Sequence, residues 1–130
     1  MLTIKTDDAK WADAMGITLP EDATVMTVKD GEELLGLGVM RLCENYALLD
    51  GIYIKDEDFS LEYGLGKSML NVIDLRGIRH VASDNADIQK QLVALKFKPM
   101  EEIEDKSELP KEVLNCRMYL NLDGYFLVNC

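Results

Sequence analysis

Glycine, lysine and serine cluster in the run Leu61-Glu62-Tyr63-Gly64-Leu65-Gly66-Lys67-Ser68, ahead of an apolar stretch with helical spacing. Lacking Cβ atoms, glycines let successive backbone N–H groups approach a ligand, and a helix beginning there directs its positive dipole end to the same point. The chemistry that follows is the cradling of a phosphate. The spacing departs from the Gly-x-Gly-x-x-Gly dinucleotide fingerprint, because Lys67, Ser68 and Met69 follow Gly66. It also lacks the first glycine and four-residue spacer of the nucleoside-triphosphate loop. A plain tight turn is the alternative for such a glycine pair.

For proton transfer the best-placed carboxylate is Asp50, which interrupts an apolar run ahead of Ile52, Tyr53 and Ile54. A carboxylate so placed can accept a proton from an ammonium, directly or through water. Asp50-Gly51 also reads as a strand bulge or a solvent-facing position. Glu44 is a second carboxylate near the start of the same run. The charges at Asp56-Glu57-Asp58 either attract a cationic substrate or form a solvated loop. His80, the sole histidine, has no second ligand type at suitable spacing, so no metal is assigned. Cys43 has no histidine near it in sequence and reads as a packing thiol. Met26, Met40, Met69, Met100 and Met118 fall in apolar segments as gap-fillers, and Trp11 is expected to pack over a sheet.

The elements that must position these groups follow from periodicity. Residues 2–5 alternate like a short strand, and 9–15 suit a short helix ended by Gly16. Residues 23–29 are rich in β-branched types, Asp30-Gly31 supplies turn chemistry, and 34–42 and 46–54 are further apolar strands. Three strands in succession predict an antiparallel meander. The pattern then changes, with a glycine loop at 64–66 opening a helix whose apolar face is Met69, Leu70, Val72, Ile73 and Leu75. A short strand over 78–82 follows. Asn85 offers N-cap chemistry to a helix carrying Ile88, Leu92 and Leu95, and strand material is expected at 97–103, 116–122 and 125–128. No internal repeat or linker composition divides the chain, so one domain over residues 1–130 is expected.

Length and charge narrow the function classes. The 130 residues match one domain of common size, and 48% hydrophobic against 29% charged residues suits a globular core and excludes a disordered or fibrous chain. Fourteen Lys plus Arg against 24 Asp plus Glu give a formal charge of -10, which repels polyanions. Nucleic acid and anionic membrane are therefore not expected as partners. No run of about 18 apolar residues exists. Cys43, Cys116 and Cys130 are odd in number without metal-type spacing, and residues 1–5 lead into Asp7-Asp8 rather than a long apolar run. A reduced, cytoplasmic protein is the expectation.

An apolar strand through residues 49–54, a charged connection, Gly64-Leu65-Gly66-Lys67-Ser68, a strand, Asn85 and a helix ending Leu95-Lys96-Phe97-Lys98-Pro99 resemble the GCN5-related N-acetyltransferase (GNAT) superfamily. The likeness spans roughly residues 23–100. Gly64 and Gly66 fall on the two glycines of the family's Gln/Arg-x-x-Gly-x-Gly/Ala motif, while Leu61 occupies the Gln/Arg position. Leu92 stands where the family commonly has a general-acid Tyr, and Lys96 replaces the glycine of Leu-Gly-Phe. Tyr53, Tyr63 and Tyr119 are the alternative phenols by residue type.

The resemblance implies an α/β fold, a mixed and mostly antiparallel sheet flanked by a few helices, and transfer of an acetyl group from acetyl-CoA to an amine. It implies that Tyr63, Gly64, Leu65, Gly66, Lys67 and Ser68 hold the cofactor's diphosphate. Ile52, Tyr53 and Ile54 lie along its arm, Asn85 contributes from the later helix, and Asp50 acts as general base. The implied acceptor is a small-molecule or peptide amine. The alternative is a catalytically weak or inactive member that binds CoA, another ligand or a protein partner on the same scaffold. Exposed edge strands in so small a domain point to a homodimer.

Overall fold

The computed structural model describes residues 1–128; Cys130 lies outside the described residues. Its first half is a meander of β1 (Leu2–Asp7), β2 (Ala23–Asp30), β3 (Glu33–Leu42) and β4 (Tyr46–Ile54), each antiparallel to the next. Gly31, at φ +62°, turns the β2–β3 hairpin, a conformation that glycine adopts without a Cβ penalty. A helix α1 (Trp11–Ala14) bridges β1 and β2, and Gly16 at φ +70° follows it. The long helix α2 (Phe59–Leu75) crosses to β5 (His80–Ser83), which pairs parallel to β4. A 3-10 turn at Ala86–Ile88 leads into α3 (Gln89–Ala94), a two-residue β6 (Lys98–Pro99), α4 (Lys111–Leu114), β7 (Met118–Asn121) and α5 (Tyr125–Val128). The sheet order is β1-β2-β3-β4-β5-β7-β6, with the single parallel pair among the described residues at β4–β5. The sheet is mixed and mostly antiparallel, as expected.

Strand alternation sends Met26, Val28, Met40, Ala47, Leu49 and Ile52 to one face, where α2 and α3 cover them with Leu65, Met69, Leu70, Ile73, Leu92 and Leu95. Leu37, Val39 and Val25 face the other way, under Ala12 and Trp11, and further along Ala82 and Tyr119 meet Val113 and Cys116. The five methionines expected as gap-fillers are all buried. Burial pushes the Cys116 thiol up to about 11, so it stays protonated and inert. Cys43 is half-buried rather than enclosed. No helix among the described residues is long and apolar enough to cross a membrane.

Three local expectations are corrected. Residues 97–103 contribute only the two residues of β6, because after the Met100 N–H donates to the Arg117 carbonyl at 2.8 Å, Met100–Glu102 curl into a 3-10 turn. Residues 125–128 are strand-like in composition yet helical. Tyr125 donates its hydroxyl to the Leu95 carbonyl at 2.8 Å, a tertiary bond that outweighs β propensity. The third is the glycine segment: α2 begins at Phe59, so Gly64 and Gly66 lie inside the helix and not in a loop before it.

Gly66 packs α2 onto α3, since a Cβ there would stand 2.7 Å from Leu95 Cδ1 and 3.4 Å from Ile52 Cδ1. Gly66→Val is expected to destabilise the fold by about 1–3 kcal/mol through overpacking, read as a lower urea midpoint with an unchanged slope.

Asp7 ties β1 to β2. Its carboxylate accepts from Thr27 Oγ1 at 2.7 Å, from the Asp8 N–H at 2.8 Å and from Trp11 Nε1 at 3.2 Å, and it pairs with Lys29 Nζ at 3.1 Å. Thr27 foremost, then the Asp8 amide and Lys29, hold its acidity well below the usual carboxylate range. A depressed carboxylate contributes its stability fully above the unfolded value of about 3.9 and loses it as pH falls toward the folded value. Asp7→Asn should therefore cost about 1–2 kcal/mol at neutral pH, and the gap in urea midpoint from wild type should narrow progressively as pH falls below about 5. A gap that is constant with pH would contradict the assignment.

Candidate functional site

The β3–β4 register runs Gly38↔Ile52, Val39↔Gly51 and then Met40↔Leu49, so Asp50 is an extra residue in β4. This is a bulge, one of the two readings open for Asp50-Gly51. A bulge re-aims the strand, and β4 pairs with β5 only at Tyr46↔His80, Ala47↔Val81 and Leu48↔Ala82. Beyond that point the two parallel strands part. Ser83 Oγ donates to the Leu49 carbonyl at 2.7 Å and Asn85 Nδ2 to the Asp50 carbonyl at 2.8 Å, fixing the mouth of the fork. The Lys55 N–H bonds back to the Leu35 carbonyl at 2.9 Å. Alternation therefore turns the N–H and C=O of Ile52 and Ile54 to the β5 side, where strand pairing has ended. An extended, amide-bearing ligand would find a strand edge there.

Asp50 itself is held. Arg41 Nε donates to Oδ2 and Arg41 Nη2 to Oδ1, both at 2.8 Å, a bidentate fork across the bulge that also raises the Arg41 guanidinium above its ordinary value. Each carboxylate oxygen accepts one of these bonds and keeps a further lone pair. The Tyr53 ring lies over Gly51 on the same face; a Cβ on Gly51 would come within 2.6 Å of the phenol oxygen.

The expected diphosphate residues are placed otherwise. Asp58 caps α2 by accepting from the Leu61 N–H at 3.1 Å, and the Glu62 N–H already bonds the Asp58 carbonyl at 3.0 Å. The amides of Gly64, Leu65 and Gly66 lie past these, within the helical ladder. Leu65 is fully buried, Ser68 Oγ bonds back to the Gly64 carbonyl at 3.0 Å, and Lys67 Nζ sits 4.9 Å from the Tyr125 ring and 5.7 Å from those of Tyr63 and Phe126. Asn85 is used at both ends, since its Oδ1 also accepts from the Asp87 N–H at 2.9 Å. A cleft of about 160 Å³ lies where β4 meets α2, lined by Ile54, Asp56, Asp58 and Leu61 among others. It is smaller than the roughly 300 Å³ at which ligand pockets begin.

Helices α2 and α3 also meet directly. Lys90 Nζ stands 4.6 Å from the Phe59 ring centre and Gln91 Nε2 donates to Glu62 Oε2 at 3.1 Å, while Leu95 fills the space beside Gly66. Leu92 is wholly buried in the core between them, so no phenol fits that position without burying an unpaired hydroxyl. The Tyr119 hydroxyl and His80 Nδ1 are hydrogen-bonded at 2.6 Å, away from the fork. Arg41, Ser83 and Gln91 are the site residues that sequence reasoning missed. Arg41 had one legible signal, a lone cation in an apolar strand facing a neighbouring strand whose lone anion is Asp50; Gln91 had none.

No family model matches the sequence, and no curated protein sequence does. Solved structures do match. An N-acetyltransferase from Staphylococcus aureus Mu50 superposes with a TM-score of 0.65 at 11% identity, covering 95% of this chain and 99% of the other. The Bacillus subtilis acetyltransferase in complex with CoA gives 0.62 at 13% identity, over 94% and 99%. A GNAT family acetyltransferase from Elizabethkingia anophelis with acetyl-CoA bound gives 0.56 at 12%, over 92% and 94%. The parted β4 and β5, the bulge and the likeness over nearly the whole chain together establish that this protein has the GNAT fold.

Proposed function

We propose that the protein is an acetyl-CoA-dependent N-acetyltransferase acting on an amine. The observation that carries this reading is the β4–β5 fork, opened by the Asp50 bulge and leaving the backbone edge of Ile52 and Ile54 without a strand partner. That edge fits the extended, amide-containing arm of acetyl-CoA, and solved structures of the same fold hold acetyl-CoA or CoA. When bound, the thioester supplies the acyl group. The diphosphate end fits less simply, because the glycine amides are inside α2.

In this reading the chain's own groups divide the work. Backbone amides at the bulge orient and polarise, the Arg41–Asp50 fork keeps the bulge in place, and the Tyr53 hydroxyl beside Gly51 is the proton donor in place of the buried Leu92. A cationic amine, small or peptidic, is the acceptor class favoured by the formal charge of -10. One observation favours the second reading, a GNAT-fold binding protein without catalysis: the helical commitment of residues 59–66.

Calorimetry with acetyl-CoA and CoA separates these from a scaffold that binds neither; heat of binding is expected, and none with either ligand would sink both cofactor readings. Thiol release is then followed with a panel of amines. Tyr53→Phe is expected to lower kcat by about 100-fold with KM within about twofold. Turnover equal to wild type would remove Tyr53 from the chemistry.

A further inference from the structure

Residues 59–63 form the first turn and a half of α2, and none of them is buried; the buried residues of the helix begin at Leu65. Between the two parts stands Gly64. Nothing lies within 4 Å of where its Cβ would be, and its φ is not positive. Neither packing nor backbone conformation asks for glycine there, and a glycine inside a helix is less stable than alanine. The segment is held by partly buried Leu61 and Tyr63 against the core, by Phe59 under Lys90 and Glu62 on Gln91, and by the Asp58 cap. Gln91 is 8% exposed, and its Oε1 has no hydrogen-bond partner. A buried acceptor without a donor is a standing penalty of the closed arrangement.

Resting on the acetyltransferase reading, we propose that residues 59–63 are a helical latch that unwinds at Gly64 to admit the cofactor. Closed, the latch presents the Asp58 carboxylate at the helix start, which repels a phosphate. Open, α2 begins near Leu65, where the N–H groups of residues 65–68 lose their carbonyl partners and form an anion-binding terminus. The same movement releases Lys90 from Phe59 toward the anion and exposes Gln91 Oε1 to a ligand N–H. The core of the helix, anchored by Leu65, Met69, Leu70 and Ile73, stays where it is. A segment with no fully buried residue and a helix-weakening residue at its base is the kind of unit that opens locally.

Hydrogen–deuterium exchange over residues 59–68, with and without CoA, reads the latch directly. CoA is expected to speed exchange at residues 59–63 while slowing it at 65–68. Gly64→Ala favours the closed helix, so it should raise Tm by a few degrees and weaken CoA binding about fivefold. Glu62→Ala should tighten binding about threefold. Slower exchange at residues 59–63 with CoA, or a Gly64→Ala chain that is more stable yet binds CoA as well as wild type, would overturn the latch and leave the acetyltransferase reading standing. Absence of CoA binding by the wild-type chain would overturn the acetyltransferase reading and the latch together.

Discussion

One surplus residue in β4 governs the geometry of this protein. Because Asp50 has no partner on β3, the strand turns at that point and cannot keep pace with β5, and the parallel β4–β5 pair opens after three residue pairs. A bulge by itself is soft. Here it is clamped from two sides, by the Arg41 guanidinium on its carboxylate and by Ser83 and Asn85 on the carbonyls of Leu49 and Asp50. Charge-assisted, bidentate contact fixes orientation as well as distance, so the fork is a rigid feature of the fold.

The helices answer a different demand. α2 must lie on β3 closely enough for Met69 to fill the space above Gly38, and α3 closely enough for Leu95 to fill the space beside Gly66. Those two glycines serve packing. Gly64, one turn earlier than Ser68 and facing no neighbour, serves neither packing nor a turn, which separates its role from that of Gly66 although the sequence presents them as a pair. The acidic approach at Asp56, Glu57 and Asp58 adds to this: the Asp58 carboxylate takes the Leu61 N–H and sets the helix start at Phe59. The capped arrangement is the one that the isolated chain adopts.

Much of the fold was legible because its signals are local. Alternation and β-branched content located β2, β3 and β4, and the 3.6-residue spacing of Met69, Leu70 and Ile73 located the buried face of α2. The resemblance was legible from order and spacing over residues 23–100. The start of α2 was not, since Phe59-Ser60-Leu61-Glu62-Tyr63 has no helical periodicity strong enough to outvote the glycines that follow. Its helicity comes from the Asp58 cap and from Lys90 and Gln91 on another element.

The sequence by itself determined the strands of the meander, the sides of the sheet to which the apolar residues point, and the formal charge of -10, because the first two depend on neighbours a few positions apart and the third on composition alone. The tertiary structure alone decided whether Asp50 is a free carboxylate or Arg41's partner, whether Leu92 faces a site or the core, and whether the Gly64–Gly66 amides are open or spent inside a helix. Those outcomes depend on contacts between residues that the chain brings together only on folding: Arg41 with Asp50, Asn85 with Asp50, and Glu62 with Gln91. A side chain's availability for chemistry is set by what else reaches it, and that is a property of the packed molecule rather than of the residue or its spacing.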